Sequence, residues 1–108
     1  MPSKEHDDVV DMLRSASSQS FTTAPSVEEA RAQLDFTGAM FPVPGDVTVE
    51  VGELAGRNVE WYSPTAPVTG RVLVYFHGGG YFAGSIDSHR SLVARMSKAL
   101  NILSLIHI

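Results

Sequence analysis

The segment Arg71-Val72-Leu73-Val74-Tyr75-Phe76 runs without polar alternation straight into His77-Gly78-Gly79-Gly80-Tyr81. No other stretch constrains the fold as strongly. A strand that is apolar at nearly every position is expected to be covered on both faces, as in a parallel sheet flanked by helices. Three consecutive glycines are costly to order, so they belong where side chains would be in the way. The C-terminal end of such a strand is the edge at which open α/β sheets bind their ligands. Amides freed of neighbouring Cβ atoms can converge there on one point. The chain is therefore read as the start of an α/β sheet.

The flanking segments agree. Residues 3 to about 18 have helical spacing of Val9, Met12 and Leu13, with Ser3 as a cap and Glu5, Asp7 and Asp8 in the first turn. The serine-rich run at 15–20 reads as a linker. Ser26-Val27-Glu28-Glu29 is a capping-box pattern that opens a second helix, with Val27, Ala30, Leu34 and then Phe36 or Met40 as its apolar side. Pro42, Pro44 and Gly45 end it. Val47, Val49 and Val51 then alternate with Thr48 and Glu50, which predicts a half-covered strand. A turn across Gly52–Gly56 returns the chain as Arg57–Tyr62. After the glycine loop, Ser85 or Asp87 caps a helix from about Ser88 to Leu100, with Leu92, Val93, Met96 and Leu100 facing inward.

Composition narrows the function classes. The 108 residues allow one domain at most, and a net charge of −4 without a basic stripe argues against nucleic acid and anionic membrane surfaces. No apolar run is long enough for a membrane span, and the polar, acid-rich start is unlike a secretory signal. A cytoplasmic location is the resulting expectation. The absence of cysteine excludes thiolate metal sites and Cys nucleophiles, and the four histidines lack metal-ligand spacing. No metal and no cofactor are expected. Gly78-x-Gly80 after a strand also fits a dinucleotide loop. However, Tyr81 and Phe82 crowd the place of a pyrophosphate, and no acidic residue follows at the ribose distance. His89 reads as a packing or hydrogen-bonding residue of its helix, and Asp87 as a cap.

Acyl transfer needs donors aimed at the oxygen that becomes negative in the tetrahedral intermediate. At His77-Gly78-Gly79-Gly80-Tyr81 the chain resembles the oxyanion motif of hormone-sensitive-lipase-like esterases, the bacterial family IV carboxylesterases. The resemblance runs from Arg71 to about Leu100 and includes Gly84-Ser85 and Asp87-Ser88-His89-Arg90. The opening helices resemble that family's N-terminal cap, and within the family the pattern is similar to monoterpene ε-lactone hydrolases. The resemblance implies an α/β-hydrolase fold and a small ester or lactone as substrate. It implies that the Gly79 and Gly80 amides bind the oxyanion. His77 would then brace the loop rather than act as base, with Gly78 and Tyr81 as supporting motif residues and Tyr81 and Phe82 lining the acyl pocket or packing beneath the loop. Residues 1–45 would form the cap and 46–102 the start of the core.

No Gly-x-Ser-x-Gly pattern occurs, so the nucleophile, acid and base expected in this fold are absent from the 108 residues. The chain alone is expected to be inactive. Its apolar strand, short of covering, is expected to make the isolated chain aggregate. Where the family continues with a strand and an Asp-Tyr-Arg-Leu-Ala-Pro-Glu-type segment, this chain has Leu103-Ser104-Leu105-Ile106-His107-Ile108. Those residues are what CTG TCT CTT ATA CAC ATC encodes, the transposase end sequence of sequencing-library adapters. Residues 103–108 are therefore expected to be an adapter-derived tail, strand-like by generic β propensity, and His107 receives no catalytic role. An adapter-free genomic clone that still encodes these six residues followed by a stop would overturn the expectation. Two other functions fit the same motif: a non-catalytic small-ligand receptor on this fold, and an amide or arylformamide hydrolase.

Overall fold

The computed structural model describes residues 1–18 and 24–107. Gln19 and Ser20 of the expected linker, and Ile108 of the expected tail, lie outside the described residues. Helix α1 (Lys4–Ser18) is followed by α2 (Val27–Ala39), β1 (Val47–Leu54), β2 (Arg57–Pro64), β3 (Val72–Phe76), α3 (Ile86–Leu100) and β4 (Leu103–His107). Ser15 to Ser18 are thus the last turn of α1, not linker, and the Ser17 hydroxyl bonds back to the Arg14 carbonyl at 2.9 Å. The capping box of α2 is complete. Ser26 Oγ accepts the Glu29 amide at 3.1 Å, and the Glu29 carboxylate accepts the Ser26 amide at 2.8 Å.

The four strands lie in the order β1-β2-β4-β3. β1 and β2 form an antiparallel hairpin, β2 pairs antiparallel with β4, and β4 runs parallel to β3. The hairpin turn is tighter than the glycines suggest. Gly52, Glu53 and Leu54 stay in the strand, and the reversal falls on Ala55 and Gly56, with φ of 52° and 74°. Two consecutive positive φ angles match the right-handed twist of the paired strands. Gly52 is left facing the Trp61 indole across the ladder.

One face of the sheet carries α3. The core between them is Val47, Tyr62, Val93, Ala94 and Ile106, with Val43, Tyr75 and Ile86 against it. The side of α3 turned to the sheet is made of small residues: Ser91, Val93, Ala94 and Ser97 are buried. Leu92 and Leu100, expected inside, are about half exposed. The close approach explains the exchange. Ser97 Oγ sits 3.0 Å from the Tyr62 carbonyl and 2.6 Å from the Ile102 carbonyl, contacts a leucine could not make.

The opposite face of β3 is exposed, as expected of an apolar strand short of its covering. Val72, Val74 and Phe76 are 51%, 46% and 71% exposed. Strand alternation puts all three on one face, and every described helix that packs against the sheet lies on the other.

Candidate oxyanion site

β3 ends at Phe76, α3 begins after its cap Ser85, and the loop between them is built on its own backbone. The Gly79 carbonyl accepts the Phe82 and Ala83 amides at 3.3 and 3.0 Å, closing a tight turn. Gly79 has φ +142°, Gly80 +64° and Gly84 +103°, a region that side-chain-bearing residues rarely enter. A Cβ on Gly79 would overlap the Ala83 carbonyl, and one on Gly84 would overlap the His77 ring and the Gly78 carbonyl. Tyr81 shares the left-handed conformation at φ +65° without being glycine, and its ring is fully exposed. Such a residue costs on the order of 1–2 kcal/mol, which the turn must hold.

With Arg31, residues His77 to Gly84 line an open cavity of about 590 Å³. Tyr81 and Phe82 are both in its wall. Among the described residues, neither the Gly79 nor the Gly80 amide donates to a protein acceptor. His77 stands at the cavity edge with Nδ1 2.9 Å from the Gly78 carbonyl; since a carbonyl only accepts, this contact requires the proton on Nδ1. No group of three or more His, Cys, Asp or Glu residues able to hold a metal occurs among the described residues. None of their helices is long and apolar enough to cross a membrane.

Behind the loop, His89 lies on the first turns of α3, its ring centroid 5.4 Å from that of His77 and 6.0 Å from that of Tyr75. Its Nδ1 is 2.7 Å from Ser88 Oγ. Burial, reinforced by the neighbouring His77, holds the His89 imidazole below its ordinary value of 6.5. The unfolded chain therefore binds this proton more readily than the folded one. The group's contribution to stability is complete above pH 6.5 and is lost as pH falls through the depressed folded value. Urea midpoints measured from about pH 7 down to about pH 5 should fall, and His89→Gln should flatten that slope. An unchanged slope in the variant would show that other groups carry the effect.

Two contacts that sequence reasoning missed come from α2. Arg31 Nε donates to the Phe82 carbonyl at 2.6 Å, and the Ser85 hydroxyl bonds to the Asp35 carboxylate. They join residues 51 and 50 positions apart, and no local pattern signals either.

A family profile described as the α/β-hydrolase fold matches residues 73–106, which is the stretch from β3 to β4 that contains this loop. An acetyl-hydrolase of Streptomyces hygroscopicus is 45% identical over 69 residues, covering 64% of this chain and 21% of that protein. Among solved structures, an esterase/lipase from an uncultured bacterium superposes with a TM-score of 0.83 at 29% identity, over 98% of this chain and 35% of its own. An esterase of the bacterial hormone-sensitive lipase family gives 0.82 at 25% identity, over 99% of this chain and 35% of its own. The chain thus spans about a third of the length of these structures. Motif and relatives converge: the chain has the α/β-hydrolase fold, over the part of it that these residues span, and resembles the bacterial hormone-sensitive-lipase-like esterases.

Proposed function

We propose that this chain supplies the oxyanion hole and the N-terminal cap of a serine carboxylic-ester hydrolase acting on small esters or lactones. One observation carries the reading. The Gly79 and Gly80 amides, at the C-terminal end of β3, have no acceptor among the described residues and belong to the wall of an open cavity. Donors held in that way stabilise an oxyanion without reorganising when the charge forms. His77 is the brace of this loop through Gly78, and residues 1–45 are the cap. The nucleophile, acid and base come from sequence other than these 108 residues, which contain no Gly-x-Ser-x-Gly.

The test uses the adapter-free open reading frame that carries residues 1–102. Its product should hydrolyse p-nitrophenyl butyrate, whereas the 108-residue chain by itself should show no rate above buffer, since donors without a nucleophile leave little catalysis. Turnover of an arylformamide or anilide without ester hydrolysis would overturn the ester reading. So would ester binding without any turnover.

A further inference from the structure

We infer that Arg31 and Asp35 are positioning residues for the glycine loop, which makes α2 part of the site rather than only a cover over it. Three contacts between α2 and the segment 82–88 support this. Arg31 Nε holds the Phe82 carbonyl at 2.6 Å. Asp35 accepts the hydroxyl of Ser85, the residue that both ends the loop and caps α3. Gly38 lets the helix come so close that a Cβ there would stand 2.5 Å from the Ser88 Cα and carbonyl oxygen.

The two side chains act on different parts of one backbone. The turn from Gly79 to Ala83 is closed by two hydrogen bonds that the Phe82 and Ala83 amides donate to the Gly79 carbonyl, so whatever fixes Phe82 also fixes the plane of the Gly79–Gly80 peptide. Arg31 fixes Phe82 from outside the turn. Asp35 fixes Ser85, and Ser85 in turn holds the Ser88 amide at 3.1 Å, so the far end of the loop is pinned to the helix start. With either tie cut, the loop keeps its internal turn but loses its register against β3 and α3. The aim of the Gly79 and Gly80 amides is then no longer set.

The consequence for turnover rests on the oxyanion reading; the consequence for loop order does not. In the product of the adapter-free open reading frame that carries residues 1–102, amide hydrogen exchange is followed by mass spectrometry for the wild type, Arg31→Met, Asp35→Ala and Asp35→Asn. Arg31→Met keeps the aliphatic stem and removes the donor. Asp35→Asn keeps an acceptor for Ser85, and Asp35→Ala removes it. Exchange in the peptide spanning 77–85 should rise about tenfold in Arg31→Met and Asp35→Ala, stay near wild type in Asp35→Asn, and leave residues 89–100 of α3 unchanged. For p-nitrophenyl butyrate, kcat should fall about tenfold in the first two variants with KM within about twofold, and Asp35→Asn should retain most of the rate. Unchanged exchange at 77–85 in Arg31→Met and Asp35→Ala overturns the inference, as does a rise spread equally over α3. Faster exchange confined to 77–85 in a protein with no esterase activity would remove the functional reading and uphold the positioning role.

Discussion

Gly79→Ala should lower kcat for short-chain p-nitrophenyl esters by roughly 10²–10³ in the protein that carries this chain, with the fold intact by circular dichroism. Two independent effects point the same way. The backbone at Gly79 has φ +142°, which an alanine resists, and the added methyl would overlap the Ala83 carbonyl, a backbone atom that cannot rotate away. Relief requires opening the turn that Gly79 itself closes by accepting the Phe82 and Ala83 amides. Gly84→Ala should be comparably severe, because its methyl would displace the His77 ring and the Gly78 carbonyl from their mutual hydrogen bond. Gly80→Ala should be milder, on the order of tenfold. Its φ of +64° lies in the region non-glycine residues reach for about 1–2 kcal/mol, and its methyl meets only the Phe82 ring edge at 3.0 Å. A ranking in which Gly80→Ala is the most damaging, or a Gly79→Ala enzyme within threefold of wild type, would show that these amides do not face the developing charge.

How much of this was legible in the sequence depends on the range of the interaction. The Ser26–Glu29 box, the alternation of β1 and the glycine run are local signals, and each specifies one local geometry. Long-range close approach is where the reading fails. Helical periodicity nominates Leu92 and Leu100 for the core, yet the sheet comes so near that Ser91, Ala94 and Ser97 fill those places. The sequence predicts a turn across Gly52–Gly56, but the reversal needs only Ala55 and Gly56, while Gly52 stays in the strand and faces Trp61. β4 is a separate case. Its place between β2 and β3 needs alternation and backbone amides, and Leu103-Ser104-Leu105-Ile106-His107 provides both whatever its origin. Occupying that place is therefore no mark of selection for it. The loop at 77–84 was visible in the sequence. Its attachment to α2 was not, since Arg31 and Asp35 look like ordinary charges on a solvated helix face.

Arg90→Met should destabilise the fold by about 3 kcal/mol, more than any change at Glu60 that keeps its shape, although the two residues form one pair. Arg90 grips Glu60 with both ends of its guanidinium, Nε to one carboxylate oxygen and Nη2 to the other, each at 2.8 Å. The Tyr62 hydroxyl donates to the same carboxylate at 2.8 Å. The burial is unequal. The Glu60 side chain is 8% exposed and that of Arg90 is 34%, and Arg90 has a second partner in Asp87 at 2.8 Å. Removing the arginine strands a carboxylate with one neutral donor in a nearly dry site. Its partial exposure places the expected cost at the lower end of the roughly 3–5 kcal/mol range for breaking buried pairs. Glu60→Gln keeps an acceptor for Tyr62 and leaves Arg90 with Asp87 and water, so about 1–2 kcal/mol is expected. The Tyr62 phenol is pushed up from its ordinary value, by burial first and by Glu60 second, so it stays a neutral donor throughout the working range. Replacing both charges, Glu60→Gln with Arg90→Met, should recover part of the Arg90→Met loss, because no ion is then left unpaired and Tyr62 keeps an acceptor. Urea midpoints of the three variants give the order directly. A double variant less stable than Arg90→Met alone would mean that this pair contributes net stability and is not merely costly to break.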